Sequence, residues 1–478
     1  MRPYATFAAF FPFLIGGIHA MRDISSKDLV KELKFGWNLG NTLEATCYDS
    51  MDYSKDQTAS ETCWENVKTT AQLYKTLSEN GYNVFRIPVT WTGHFGVGPD
   101  YIINEKWMKR VHEVVDYAIN TGAYAIIDVH HENWNYAFND NLERAKKIEK
   151  ALWTQIAQEF ADYDEHLIFE CLNEPRKVGS ELEWTGGDDE SWNFINELNA
   201  VCINAIRSSS GNNPLRHIMI PTYAASFNDT SIEHLNLHRE DNKIIVSLHS
   251  YTPYHFALDQ SEMAYSVYND TTEIEIDYVL NGIYSSLVSK NVPVIIGEFG
   301  TVNRNNYESR VKWARYYVKR AKAKGLPCIL WDNGKFEGKG ELFGHIDRST
   351  YEFKFPYIQY GYRCGLGSMK YCQLVQEMNN PKNNTIEDDN KNNESEKTTT
   401  TTTTINPTSN APTATTTTTI TPTSTPDTNN TQNNSTSPSD SNDESTSSID
   451  YHYAIHMIKN IKFIYLTYLI AFILINYY

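Results

Sequence analysis

The chain has 478 residues, 40% hydrophobic and 13% aromatic, enough for a large core and longer than one average domain. Its formal net charge of -17, from 42 Lys+Arg against 59 Asp+Glu, argues against a nucleic-acid surface and against tight binding to anionic lipid. A soluble body acting on neutral ligands suits that balance.

Residues 1–20 carry Arg2, an apolar stretch over 7–18 and the small Ala20 as a cleavage point, which predicts a secretory signal peptide. Eight short apolar runs then alternate with longer amphipathic segments: 33–38, 82–87, 124–129, 167–172, 217–221, 244–248, 293–296 and 327–331. Continuous apolar runs of this length fit parallel strands buried on both faces. Between the second and third runs, Trp107, Val111, Val114, Val115 and Ala118 share a helical face, with Asn104 as N-cap and Gly122 as the stop. Eight strand–helix units predict a (β/α)8 TIM barrel over residues 21–372. A doubly wound open sheet is the alternative, although its G-x-G-x-x-G phosphate turn is missing.

Secretion permits disulfides. Of seven cysteines, Cys47 and Cys63 share one polar loop, and Cys364 and Cys372 lie near the end of the folded region. Cys171, Cys202 and Cys328 sit in apolar or helical runs and read as buried thiols. Connectivity does not follow from spacing, and no C-x-x-C pair indicates a structural zinc.

Residues 373–450 are rich in Thr, Ser, Asn and Pro, with unbroken threonine at 398–404, and predict a disordered, O-glycosylated stalk that cannot bury a core. Asn-x-Ser/Thr sites occur at Asn228, Asn269, Asn383, Asn393, Asn429, Asn433 and Asn434. The tail, 451–478, ends in an apolar stretch from residue 463 onward. As a helix that stretch spans about 24 Å, short of a ~30 Å hydrocarbon core. A cleaved lipid-anchor signal with attachment near Ser445 is the first reading, and a short membrane tail the second.

Polar residues gather at the C-terminal ends of the predicted strands, where a barrel does its chemistry. Arg86 ends the second, His130 and His131 the third, Asn173 and Glu174 the fourth, His249 and Tyr251 the sixth, Glu298 the seventh and Trp331 the eighth. A carboxylate at the end of a buried strand is costly to desolvate unless it is paired or has a task. Arg86 and Tyr251 are placed to hold Glu298 ionised, while a less polar setting keeps Glu174 protonated. Two carboxylates divided in this way are what a retaining glycosidase needs. His131-Glu132 opens like the zinc motif H-E-x-x-H, but Asn135 stands at its fifth position. No G-x-S-x-G elbow is present, and no metal or other cofactor is expected. Trp91, Trp134 and Trp184 fall on predicted loops and are candidate sugar platforms.

Taken in order, Gly36-Trp37-Asn38-Leu39-Gly40-Asn41-Thr42, Phe85-Arg86-Ile87-Pro88-Val89-Thr90-Trp91, Asp128-Val129-His130-His131-Glu132-Asn133-Trp134, Asn173-Glu174-Pro175, His249-Ser250-Tyr251, Gly297-Glu298-Phe299-Gly300 and Trp331-Asp332-Asn333-Gly334 resemble glycoside hydrolase family 5, the cellulase family. The resemblance spans roughly residues 25–372. It implies Glu174 as general acid/base, oriented by Asn173, which also bonds the sugar 2-hydroxyl. It implies Glu298 as nucleophile, bonded by Arg86 and Tyr251. His130 and His249 then contact the sugar at the cleavage subsite, Trp331 stacks under a ring, and Asn38 and His131 add further contacts. The implied activity is retaining, endo-acting hydrolysis of β-1,4-glucosidic bonds in cellulose or mixed-linkage β-glucan. A xyloglucanase, xylanase or mannanase, or a non-catalytic carbohydrate-binding wall protein, is the alternative, because loop shape selects the sugar. The expected partner is a β-linked polysaccharide, with no nucleic acid. The expected form is a monomer, secreted and tethered to the outer cell surface through its tail.

Overall fold

In the computed structural model, which describes residues 21–379, the eight predicted runs form one closed parallel barrel. Its strands are β1 (Gly36–Asn38), β2 (Val84–Ile87), β3 (Tyr124–Asp128), β4 (Leu167–Glu170), β5 (Ile218–Ser226), β6 (Ile244–His249), β7 (Val294–Phe299) and β8 (Cys328–Leu330). Each pairs with its neighbour in sequence, and β1 closes on β8 through Gly36–Ile329 and Trp37–Leu330. This is the (β/α)8 architecture, and the open sheet is excluded. The helix Glu105–Ile119 begins where the Asn104 side chain accepts from the Lys106 N–H, and it buries Trp107, Val111, Val114, Val115 and Ala118 as the spacing predicts.

Strand alternation divides the core in two. Outward residues such as Phe85, Ile127, Phe169, Val246 and Ile296 pack under the surrounding helices. Inward residues Val84, Ile126, Ile168, Met219, Ile245, Ile295 and Ile329 form an apolar layer across the barrel, joined by Leu29, Val30 and Leu33 from the N-terminal segment. Two residues further along β2, β3, β4 and β6 the inward positions become Arg86, Asp128, Glu170 and Ser247, all fully buried. A polar layer thus lies on an apolar floor, beneath the strand ends.

On β7 strict alternation points Gly297 inward and Glu298 outward. The register with both neighbouring strands is irregular there, shifting between Leu248 and His249 on β6 and between Ile296 and Phe299 on β7. This local irregularity turns Glu298 inward and puts Phe299, which alternation would point inward, in the outer core. Gly297 leaves room for the turn: a Cβ there would lie 3.2 Å from His249 Nε2 and from Ser247 Oγ.

Three disulfides join Cys47–Cys63, Cys171–Cys202 and Cys364–Cys372, and Cys328 is a free buried thiol. The second corrects the expectation of buried thiols at Cys171 and Cys202. Cys171 follows β4 and Cys202 lies on the helix Asp189–Arg207 packed outside it, with Cα atoms 5.8 Å apart, within disulfide reach. The expected boundary at residue 372 is also moved. The helix Met369–Asn379 runs on past it, buries Val375, and is fastened near its start by Cys364–Cys372. Asn228 and Asn269 are helix N-caps, accepting from the Thr230 and Thr272 N–H groups. The expected signal peptide, the rest of the expected stalk and tail, and Asn383, Asn393, Asn429, Asn433 and Asn434 lie outside the described residues.

Candidate active site

Arg86 organises the polar layer. Its Nε donates to Glu170 Oε2 at 2.6 Å, Nη1 to Glu298 Oε1 at 2.8 Å and Asn38 Oδ1 at 3.1 Å, and Nη2 to Asp128 Oδ2 and Asn173 Oδ1 at 2.8 Å each. Burial opposes its charge, but Glu170, Asp128 and Glu298 outweigh that and keep the guanidinium protonated. Ser247 Oγ donates to the other oxygen of Glu170 at 2.6 Å. Burial pushes Asp128 up to about 6 against the pull of Arg86.

Glu298 is held on both oxygens, by Arg86 on Oε1 and by the Tyr251 hydroxyl on Oε2 at 2.8 Å. Burial, reinforced by the Glu298 charge, raises the Tyr251 phenol well above its ordinary value, so it stays a donor. The other glutamate differs. Glu174 Oε1 meets His249 Nδ1 at 2.7 Å, and Arg176 Nη1 lies 4.0 Å from Oε2. Burial opposes ionisation of Glu174, but the His249 hydrogen bond and charge, with Arg176, hold the carboxyl down to about 2. His249 responds in kind: burial lowers it, and Glu298 and Glu174 more than reverse that, raising it. The expected less polar setting around Glu174 is therefore corrected. The 2.7 Å contact between Glu174 Oε1 and His249 Nδ1 carries a proton between the two groups. One carboxylate oxygen from each glutamate and a ring nitrogen of His249 lie within 4.8 Å of one another.

His130 donates through this network as well. Burial, with the Arg86 charge, lowers it to about 3, so it is neutral; its Nδ1 contacts Asp128 Oδ2 at 2.7 Å as donor and leaves Nε2 as an acceptor. His130, exposed His131, Asn173 and Glu174 line a cleft of about 270 Å3, together with Tyr48, Trp64, Tyr136 and Arg176. Trp331 stacks parallel to the His130 ring at 6.1 Å and is 9% exposed.

Three expectations fail for reasons of burial. Asn38 is fully buried, its amide donating to Gly297 O at 2.9 Å and its oxygen accepting from Arg86, so it positions Arg86 and β7 and has no atom left for sugar. Trp91 and Trp134 are core residues, their indoles donating to Asp128 O and Glu132 Oε2. Trp184 alone of the three proposed platforms is well exposed, at 41%, and stacks on the Arg176 guanidinium at 4.1 Å. Glu132, the glutamate of the zinc-like string, spends its carboxylate on the Trp91 and Thr92 backbone N–H groups, the Thr92 hydroxyl and Trp134. Asp128, Glu170, Arg176, Trp64 and Tyr48 carried no role in the sequence. For the first two the available signal was a charge inside an apolar run.

A buried arginine holding one of two convergent glutamates, at the strand ends of a (β/α)8 barrel, defines a glycoside-hydrolase type of site. The family model described as Cellulase (glycosyl hydrolase family 5) matches residues 48–337. Endoglucanase B of Neocallimastix patriciarum is 59% identical over 352 residues, covering 74% of each chain. A broad-specificity GH5-4 endoglucanase from Ruminococcus champanellensis, solved with bound cellotriose, superposes with a TM-score of 0.69 at 41% identity over 72% of this chain and 99% of that one. A GH5 lichenase from Caldicellulosiruptor sp. F32 gives 0.68 at 36% identity, over 76% and 99%. The chain belongs to glycosyl hydrolase family 5 and is a glycoside hydrolase.

Proposed function

We propose that the protein is a retaining endo-β-1,4-glucanase, with Glu298 as nucleophile and Glu174 as acid/base. The observation that carries this reading is the approach of the two carboxylates to within 4.8 Å, one held by a permanent cation and the other by an imidazole. Retaining enzymes set their carboxyl groups about 5–5.5 Å apart, too close for a water to attack from between them. In the first step Glu298 bonds to the anomeric carbon as the glycosidic C–O bond breaks, and the leaving oxygen takes the proton of the Glu174–His249 pair through Glu174. In the second, Glu174 removes a proton from water, which attacks the same carbon and releases Glu298. Asn173 and His130 line the cleft beside Glu174 and are proposed sugar contacts, as is Trp331. The names of the relatives support β-glucans as substrates, and the lichenase among them supports mixed-linkage glucan beside cellulose.

Proton NMR of the first products from a soluble β-glucan tests both parts, with initial release of the β-anomer expected. Initial α-anomer overturns the nucleophile, and absence of new reducing ends leaves a non-catalytic binding protein. A panel of carboxymethylcellulose, mixed-linkage glucan, xyloglucan, xylan and mannan ranks the substrates. We propose further that the chain is exported and held at the outer cell surface; three disulfides support an oxidising destination. Recovery of a peptide spanning residues 466–474 from mature protein would replace the cleaved lipid-anchor signal with a retained tail.

A further inference from the structure

Away from the cleft, a second group of buried polar atoms has no assigned work. Arg310, on the helix Tyr307–Ala323, is fully buried. Its Nε donates to Thr301 Oγ1 at 3.2 Å, while Nη1 and Nη2 find no acceptor among the described residues. It has no ion-pair partner among the described residues, and the group that faces its charge directly is the Phe355 ring, 5.1 Å from the guanidinium. A buried cation without a counter-charge is one of the more costly arrangements a protein can hold.

Two more orphans share this interior. The Tyr362 hydroxyl, on the helix Pro356–Gly365, and His345 Nε2, on the segment after β8, are fully buried and have no hydrogen-bond partner among the described residues. Their rings are 6.0 Å apart, and both groups feel the Arg310 charge. The tautomer of His345 follows from its other nitrogen. Tyr82 donates to the Gln359 carbonyl oxygen, so the Gln359 amide nitrogen faces His345 Nδ1, at 3.2 Å, as donor. Burial, with the Arg310 charge, keeps the ring neutral. Nε2 therefore carries the hydrogen. Two guanidinium N–H groups, an imidazole N–H and a hydroxyl are all buried donors; the Asp332 charge reaches Arg310, but no carboxylate among the described residues bonds any of them. The enclosure is tight, because Gly361 and Gly365 bring the two helices so close that a Cβ at either would lie 2.8 Å from Val311 O or 2.5 Å from Arg315 O.

We infer that Arg310, His345 and Tyr362 bind a small monovalent anion of the chloride class, which neutralises the arginine behind the end of β7. A water would satisfy some of these donors but would leave the guanidinium without a counter-charge in contact. Thr301 lies three positions after Glu298 on the same chain segment, so the ion fixes the wall from which that glutamate projects, and it touches no sugar.

The test uses the full chain, purified and crystallised with bromide as the only halide. Anomalous density within hydrogen-bond distance of the Arg310 Nη atoms is expected; a peak of water height with no anomalous signal overturns the proposal. In solution, saturating chloride should raise the Tm by about 3 °C over gluconate at equal ionic strength. Arg310→Leu should abolish that difference. Should Arg310→Leu fail to fold, Tyr362→Phe keeps the ring and removes one donor, and it should raise the half-stabilising chloride concentration about tenfold. Equal Tm values in chloride and gluconate with no bromide peak, or a Tyr362→Phe curve identical to the parent, reject the anion.

Discussion

Glu298 and Glu174 stand at the ends of two strands of one barrel, yet they are held by opposite means. Glu298 is bonded by a guanidinium that does not titrate and by a phenol whose proton is secured. Glu174 is bonded by an imidazole that can take or give a proton. The first grip is a fixed cation, and the second is a titratable ring beside a carboxylate that, in the proposed mechanism, loses and regains a proton. Two residues of one chemical type are thus given different surroundings by their partners alone, which is what the proposed division of roles requires.

The largest effect should come from Glu298→Ala, which removes the covalent route and should lower kcat by about 10^5-fold on polysaccharide and activated aryl glycosides alike. Glu174→Ala should cost about 10^3-fold on polysaccharide but little in the first step with an aryl glycoside whose leaving group needs no proton. Stopped-flow release of the aryl group separates the two, and identical behaviour of the variants would dissolve the distinction between the niches. Tyr251→Phe removes one hydrogen bond to a charged group, about 1.5–3 kcal/mol, and should lower kcat/KM about 10- to 100-fold.

The smallest effect, on stability, concerns the stored proton. Glu174 is held below its ordinary 4.5, so its contribution is present above that value and is lost as pH falls towards about 2. His249 is raised above its ordinary 6.5, so its contribution is full below that value and fades as pH rises through the raised folded value. The pair should stabilise the fold most between 4.5 and 6.5. His249→Gln should therefore lower the Tm most in that window, with the gap to the parent protein narrowing on both sides. A gap that does not vary with pH would show that the proton is not shared in this way.

The eight strands were legible because strands buried on both faces read as unbroken apolar runs, and the catalytic candidates because charge at the end of such a run is conspicuous. Asp128 and Glu170 were harder to find. They lie within the runs, and only the closed barrel brings them to Arg86. Glu298 depended on an irregularity in β7 that a period of two does not contain. The fates of Trp91, Trp134 and Trp184 were hidden because position on a loop does not set burial: Glu132 draws the first two inward, and Arg176 meets the third near the surface. The Cys171–Cys202 bond joins the residue after β4 to the helix Asp189–Arg207 outside it, a tertiary relation absent from either local pattern.

The cluster around Arg86 also bears on the order in which the chain can assemble. Its acceptors come from β1, β3, β4, the segment after β4, and β7, so the guanidinium gathers contacts from strands separated by more than half the folded chain. A nascent chain that has made β1 to β4 already carries Arg86, Asp128 and Glu170, one cation against two anions, but lacks the wall that excludes water from them. Dehydrating that unequal set early would be uphill. A half-made barrel lacking β7 and β8 would therefore resist drying at its centre, and the charges gathered round Arg86 would oppose premature collapse.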